Sequence, residues 1–188
     1  MNAPHRKRVR SYNIPGHAHE LTFSCFRRLP LLSGDRTRRW FVDALEDARR
    51  DLDLALWAYV IMPEHVHVLC WPRQTAYEVR LIRTAFKVPV QRKALKFLRQ
   101  RAPAFLEQLQ DCQPNGQVHY RFWQRGGGYD RNVMGPTTLV QMIEYIHNNP
   151  VRRGLVPKAT DWIWSSARFY AGATRVPIRM DPLPCLDG

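Results

Sequence analysis

The spacing of apolar positions along the chain predicts an alternation of strands and helices. Residues 21–26 alternate apolar and small polar side chains, which is typical of a half-buried strand. An apolar helical stripe follows Gly34 and comprises Trp40, Phe41, Ala44, Leu45, Ala48 and Leu52. Two mainly apolar segments, from about residue 54 to 61 and from 65 to 71, then predict a pair of strands separated by Pro63.

The middle of the chain completes the pattern of a known fold class. A helix is predicted after Thr75, and Pro89 should break or kink it before it resumes over residues 91–101. Residues 102–117 are expected to form a loop or insertion, and residues 118–123 the fourth strand. This order predicts an α+β fold, a ferredoxin-like split βαβ unit with an antiparallel sheet and helices on one face.

One more helix is predicted over residues 138–149, because Thr138 and Gln141 have the spacing of a capping box. The proline that follows should end this helix. Tyr145 and Asn149 are four residues apart, so they project from the same side of it. The predicted fold is thereby completed by a C-terminal helix that carries a tyrosine.

The charge of the chain indicates the kind of partner. Its 188 residues include 29 Lys and Arg against 16 Asp and Glu, a formal net charge of +13. Such an excess favours a polyanion, because cations that neutralise phosphates release condensed counterions. Nucleic acid is favoured over a membrane, since no apolar run is long enough to span a bilayer and no cationic segment carries a wide apolar face.

Cysteine usage and local composition set the organisation that we expect. The four cysteines are scattered without a Cys-x-x-Cys pair, which argues against a zinc ribbon or disulfide framework and suits a reducing compartment. Residues 1–18 are interpreted as a basic flexible arm, residues 19–172 as one folded domain, and residues 173–188 as a tail. Without a recognisable secretory signal, we expect a cytoplasmic, nucleoid-associated protein, monomeric or homodimeric.

Two histidines stand at the start of the strand predicted over residues 65–71. Successive side chains of a strand point to opposite faces, so His65 and His67 share one face. Imidazole binds several divalent metals, and a rigid strand fixes the separation of the two rings. The pair is half of a candidate metal site, although a His-x-His pair alone is more often structural.

Four blocks of sequence make a family resemblance specific: residues 60–69 (VIMPEHVHVL), 122–130 (FWQRGGGYD), 145–156 (YIHNNPVRRGLV) and 164–167 (WSSA). In this order and spacing they resemble the single-tyrosine HUH transposases, and within that superfamily the REP-associated tyrosine transposases. The resemblance covers most of the chain from about residue 21 to 172. The histidine motif together with the tyrosine helix carries most of its weight.

The resemblance implies an enzyme that cleaves single-stranded or hairpin DNA and transfers strands by transesterification. It implies that Tyr145 is the nucleophile, which would leave a 5′-phosphotyrosine and a free 3′-OH. It also implies that His65, His67 and Asn149 bind a divalent metal, Mg²⁺ or Mn²⁺. Basic residues are candidate DNA contacts: Arg6, Lys7, Arg8, Arg27, Arg28, Lys87, Arg125, Arg152 and Arg153.

Two other function classes stay open at this point. One is a domesticated nucleic-acid-binding protein that keeps the fold without catalysis. The presence together of both histidines, Tyr145 and Asn149 argues against it. The other is a metal-dependent nuclease that uses water, in which Tyr145 is only structural. A covalent protein–DNA intermediate would separate this class from a transposase.

Overall fold

The structure, a computed structural model, describes residues 12–184, so Arg6, Lys7 and Arg8 lie outside the described residues. Its regular elements are β1 (Ala18–Ser24), α1 (Asp35–Asp51), β2 (Leu54–Ile61), β3 (His65–Pro72), α2 (Val79–Arg101), α3 (Pro103–Leu106), β4 (Gln110–Cys112), β5 (Val118–Tyr120), β6 (Tyr129–Val133), α4 (Pro136–Arg152) and α5 (Ala167–Tyr170).

Four strands form an antiparallel sheet in the order β2-β3-β1-β6. On β3, Val66 and Val68 point to the face on which α1 and α2 pack. His65 and His67 alternate with them and therefore point to the other face, where α4 packs through Met142 and neighbouring apolar residues. The predicted α+β class is confirmed: a ferredoxin-like sheet with two helices on one face, and a C-terminal helix that carries the tyrosine.

The fourth strand of the sheet is residues 129–133, so the prediction of residues 118–123 was wrong. Val118–Tyr120 instead pairs with β4 in a separate two-stranded ribbon, and residues 102–117 contain α3 and β4 as well as loop. β6 has few apolar residues because it is an edge strand. Its buried Asp130 is held by His19 Nδ1 at 2.9 Å, a polar contact that apolar periodicity does not reveal.

Both prolines that were predicted to interrupt helices lie inside them. Helix α2 runs continuously through Pro89, and α4 continues past Pro150 to Arg152. An internal proline removes one helical hydrogen bond, but neighbouring turns of both helices are anchored in the core by buried side chains such as Phe86 and Ile146. Helix α4 also begins earlier than predicted, at Pro136, so no capping box forms.

The outer edge of β2 is covered by the C-terminal part of the chain. The amide of Ser166 donates to the Tyr59 carbonyl at 3.0 Å, and the amide of Asp181 donates to the Leu56 carbonyl at 2.9 Å. The Asp181 carboxylate accepts in return from the Leu56 amide at 2.9 Å and pairs with Arg49 at 3.1 Å. Strand-like pairing thus continues beyond β2 without another regular strand.

Candidate functional site

Strand β3 and helix α4 bring two histidines and a tyrosine together. The ring centroids of His65 and His67 are 5.0 Å apart. The Tyr145 ring meets the His67 ring edge-on, with 5.6 Å between centroids. His67 is 6% exposed, whereas Tyr145 is 41% exposed. The tyrosine is therefore open to a large substrate, while the histidine beside it is fixed in the protein wall.

A buried carboxylate that sequence reasoning missed holds His67. Glu20, on β1, is 3% exposed, and its Oε1 lies 2.9 Å from His67 Nδ1. The Thr22 hydroxyl donates to the same oxygen at 2.5 Å and lies 2.8 Å from His67 Nδ1. A carboxylate can only accept, so Nδ1 carries a proton, and whenever the imidazole is neutral its lone pair is on Nε2.

His65 has a similar arrangement. Its Nδ1 lies 3.2 Å from Oε1 of Glu64, and Arg153 donates to that oxygen at 2.7 Å. Burial, followed by the neighbouring His67, lowers the pKa of His65 to about 4. The imidazole is therefore neutral near pH 7, the form that binds a metal. Both histidines thus have Nδ1 occupied by a carboxylate and Nε2 left for coordination.

Asn149 lies one turn beyond Tyr145 and is 8% exposed. Its Nδ2 donates to the Tyr145 backbone carbonyl at 2.9 Å, so the amide oxygen is the atom left to accept from or bind another group. Within residues 12–184, no group of three or more His, Cys, Asp or Glu side chains has the arrangement of a metal site. The three side chains predicted as metal ligands would supply two imidazoles and an amide oxygen, a donor set that fits a hard or borderline cation that keeps water ligands.

Two of the predicted DNA contacts lie at this site. The Arg152 guanidinium lies over the Tyr145 ring, 5.2 Å from its centroid, and Arg153 binds Glu64 as described above. The position of Arg152 follows from helix geometry, because residues seven apart lie two turns apart on the same side. A fixed positive charge therefore stands beside the exposed phenol.

Lys87 and Arg125 lie elsewhere, around a cavity of about 160 Å³ on the α2 side of the sheet. Lys87 Nζ donates to the Gly126 carbonyl at 2.9 Å, and Arg125 pairs with Asp111 at 2.6 Å. Burial, followed by the charges of arginine neighbours, lowers the pKa of Lys87 to about 8. This cavity therefore has an excess of positive charge, and a bound anion would reduce the repulsion between its basic side chains.

Arg27 and Arg28 precede the ribbon of β4 and β5. Both residues have positive φ, 52° and 55°, and both are exposed. The Arg27 guanidinium lies over the Phe26 ring and donates to the Gln110 carbonyl of β4 at 3.3 Å. These two predicted DNA contacts belong to the ribbon side of the molecule.

A second, larger cavity of about 470 Å³ adjoins Tyr145 and His67. It lies between the sheet and α4. Three elements supply the rest of its walls: β1 with Glu20 and Thr22, β6 with Tyr129 and Arg131, and α4 with Thr138, Gln141 and Met142. Gln141 lies four residues before Tyr145, so the sequence could have placed both side chains on the same side of α4. The interpretation of Gln141 as part of a capping box hid this relation.

Comparison with known proteins supports the fold. No protein-family model and no curated protein sequence matches the chain. Among solved structures, the chain is similar to a REP-associated tyrosine transposase bound to a REP hairpin, with a TM-score of 0.60 and 21% identity over 95% of this chain and 94% of that one. It is also similar to a candidate transposase from Deinococcus radiodurans R1, at 20% identity over 76% of this chain and 96% of that one, with a TM-score of only 0.43. The first likeness confirms that this chain has the fold of that transposase.

Proposed function

We propose that this protein cleaves and rejoins single-stranded DNA through a covalent bond to Tyr145, as a transposase does. One observation carries the proposal. The solvent-exposed Tyr145 lies between the buried His67 and the guanidinium of Arg152, in a fold shared with a tyrosine transposase. A tyrosine that served only the core would be buried, and it would not need a cation over its ring.

In the proposed reaction the Tyr145 oxygen attacks the scissile phosphorus. A phosphorus–tyrosine ester forms, and the bond from phosphorus to the 3′ oxygen of the preceding nucleotide breaks. The phenolic proton passes to solvent, and the departing oxygen takes up a proton to become a free 3′-OH. The ester conserves the bond energy, so attack by a 3′-OH reverses the step and joins strands without a nucleotide cofactor.

Other protein groups around Tyr145 would bind the phosphate and orient the metal ligands. Arg152 attracts the phosphate and stabilises negative charge that develops on it. Glu20 and Glu64 hold the imidazoles of His67 and His65 in one tautomer and orientation. With Asn149, these histidines would hold Mg²⁺ or Mn²⁺, which when bound would polarise the scissile phosphate.

The charge of the chain supports DNA as the substrate. The formal net charge is +13, and the cavity around Lys87 and Arg125 is a basic surface that suits a phosphate backbone. The structural neighbour is bound to a hairpin, and a single-stranded or hairpin DNA is proposed here by analogy. None of the helices within residues 12–184 is both long enough and apolar enough to cross a membrane.

The experiment that tests the proposal uses hairpin oligonucleotides whose single-stranded tails are randomised, because the target sequence is unknown. With a label at the 3′ end, the wild type should give a protein band that keeps the label through denaturing electrophoresis. With a label at the 5′ end, it should give only a shorter free oligonucleotide. Tyr145→Phe should bind the same DNA and give neither product, and EDTA should abolish both.

Tyr12→Phe is the matched control, because it removes the hydroxyl of another exposed tyrosine. It should cleave as the wild type does. Cleavage by Tyr145→Phe at near wild-type rate would exclude Tyr145 as the nucleophile. Shortened DNA without labelled protein would indicate a nuclease that uses water, and no cleavage together with intact binding would indicate a non-catalytic DNA-binding protein.

A further inference from the structure

We propose that the cavity beside Tyr145 receives one unpaired nucleobase next to the scissile phosphate and reads its identity. This inference rests on the proposed cleavage of single-stranded DNA. The cavity volume, about 470 Å³, lies within the range of roughly 300–1,000 Å³ found for small-ligand pockets. Because Tyr145 and His67 form one of its walls, any occupant lies directly beside the reacting phosphate.

Helix α4 lines the cavity with neutral hydrogen-bonding groups. Thr138, Gln141 and Tyr145 follow one another at three- and four-residue spacing, so they form a continuous strip along one side of the helix. The Gln141 amide both donates and accepts, as does the Thr138 hydroxyl. Enzymes that act on a nucleotide outside a duplex commonly read an extruded base by such hydrogen bonds to its edge.

Strand β6 supplies an aromatic ring on the opposite side. Tyr129 is 50% exposed and lines the cavity. The residue before it, Gly128, has φ +79° and lies so close to β1 that a Cβ would be 2.1 Å from the Thr22 carbonyl oxygen. The backbone leading to Tyr129 is therefore pressed against the sheet. An exposed aromatic ring that is anchored in this way suits stacking on a base.

The distribution of charge argues for a base in the cavity and a phosphate outside it. The inner wall carries Glu20, whose buried carboxylate would repel a phosphate but can face N–H donors of a base. Of the two nearby cations, Arg131 lines the cavity and Arg152 lies over the Tyr145 ring, and both are exposed to solvent. A nucleotide placed with its base inward thus puts its phosphate towards Tyr145 and these arginines.

The test uses the pool of hairpins with randomised tails and sequences the strands that become covalently joined to protein. For the wild type we expect enrichment of particular bases at one position beside the cut. Tyr129→Ala and Gln141→Ala should lose enrichment at that position and keep it elsewhere. Val140→Ala is the matched control, since Val140 is an exposed α4 residue that does not line the cavity.

A second measurement removes the base instead of the side chain. An abasic nucleotide at the enriched position should slow wild-type cleavage by about 5- to 150-fold, the range that loss of one stacked base gives. The same lesion should leave Tyr129→Ala almost unaffected, because its stacking partner is already gone. Enrichment that is unchanged in both variants, or equal slowing of wild type and variants by the lesion, would overturn the inference.

Failure of the proposed function can be told apart from failure of this inference. If the wild type forms no covalent product, the pool is instead selected by binding to Tyr145→Phe, and the bound strands are sequenced. A base preference at one position that Gln141→Ala abolishes would support the cavity as a base site without cleavage. Binding with no positional preference would overturn it.

Discussion

Replacing Glu20 by Gln should weaken divalent metal binding without unfolding the protein. The substitution keeps the shape of a side chain that is 3% exposed, and it removes only the charge. Glu20 Oε1 now accepts from both His67 Nδ1, at 2.9 Å, and the Thr22 hydroxyl, at 2.5 Å. A carboxylate allows only one His67 tautomer, whereas a carboxamide can also present its NH₂ group to Nδ1.

The magnitude follows from two losses. A charge-assisted hydrogen bond is roughly twice as strong as a neutral one, so the Glu20–His67 contact weakens by about 1 kcal/mol. In addition, a fraction of His67 takes the tautomer with its proton on Nε2, which cannot bind a metal. Loss of an outer carboxylate typically costs about 10- to 100-fold in metal affinity, or about 1.4 to 2.7 kcal/mol.

Titration with Mn²⁺ measures this directly, either by the electron paramagnetic resonance signal of free Mn²⁺ or by calorimetry. Glu144→Gln is the matched control, because it removes the same charge from an exposed carboxylate of α4. Its Kd should stay at the wild-type value, and urea unfolding should show that both variants are folded. A Glu20→Gln Kd within twofold of wild type would refute the role assigned to Glu20.

Three further predictions concern stability and binding. Burial lowers the pKa of His147 to about 4, so the stability that depends on its neutral form is complete above pH 6.5, where an unfolded histidine is also neutral, and is lost as pH falls towards 4. The free energy of unfolding, measured with urea, should therefore fall between pH 7 and pH 4.5 by about 2 to 3 kcal/mol more in the wild type than in His147→Gln. An equal fall in the free energy of unfolding of both proteins would contradict this prediction. Gly128→Ala should lower the free energy of unfolding by at least about 2 kcal/mol in the same assay, because a Cβ would meet the Thr22 carbonyl oxygen. Gly126 has a φ of +91° but open space around it, so Gly126→Ala should lower the free energy of unfolding by only about 1 kcal/mol. Binding of single-stranded DNA, measured by fluorescence anisotropy, should weaken as salt is added. The logarithm of the binding constant should fall against the logarithm of the salt concentration with a slope of roughly −0.7 per phosphate contacted, and Arg125→Ala should make that slope shallower by about one such unit. An unchanged slope would show that Arg125 does not contact the DNA.

The parts of the site that the sequence predicts are those fixed by local periodicity. Alternation on a strand places His65 and His67 on one face, and the helical repeat places Asn149 beside Tyr145. Glu20 could not be found in this way. The contact between Glu20 and His67 depends on the register of β1 against β3, in which Thr22 pairs with His67, 45 positions later in the chain.

The errors in the fold also arise from long-range contacts. Val118–Tyr120 alternates like a sheet strand, but β4 supplies a partner for it outside the main sheet. β6 was missed because an edge strand whose buried Asp130 is hydrogen-bonded to His19 lacks an apolar pattern. Trp123 follows the same ribbon and lies outside every regular strand, yet it is 3% exposed and packs against Phe23 and Phe41 in the core of the main sheet.

The covering of the β2 edge has a consequence for synthesis on the ribosome. Leu56 meets its partner Asp181 only after 125 further residues have been added. At about 5–20 residues per second, the growing chain spends roughly 6 to 25 seconds with that edge uncovered. An uncovered strand edge is a template for pairing with other chains. During this interval the nascent protein is therefore most exposed to aggregation, and chaperones that shield strand edges would act then.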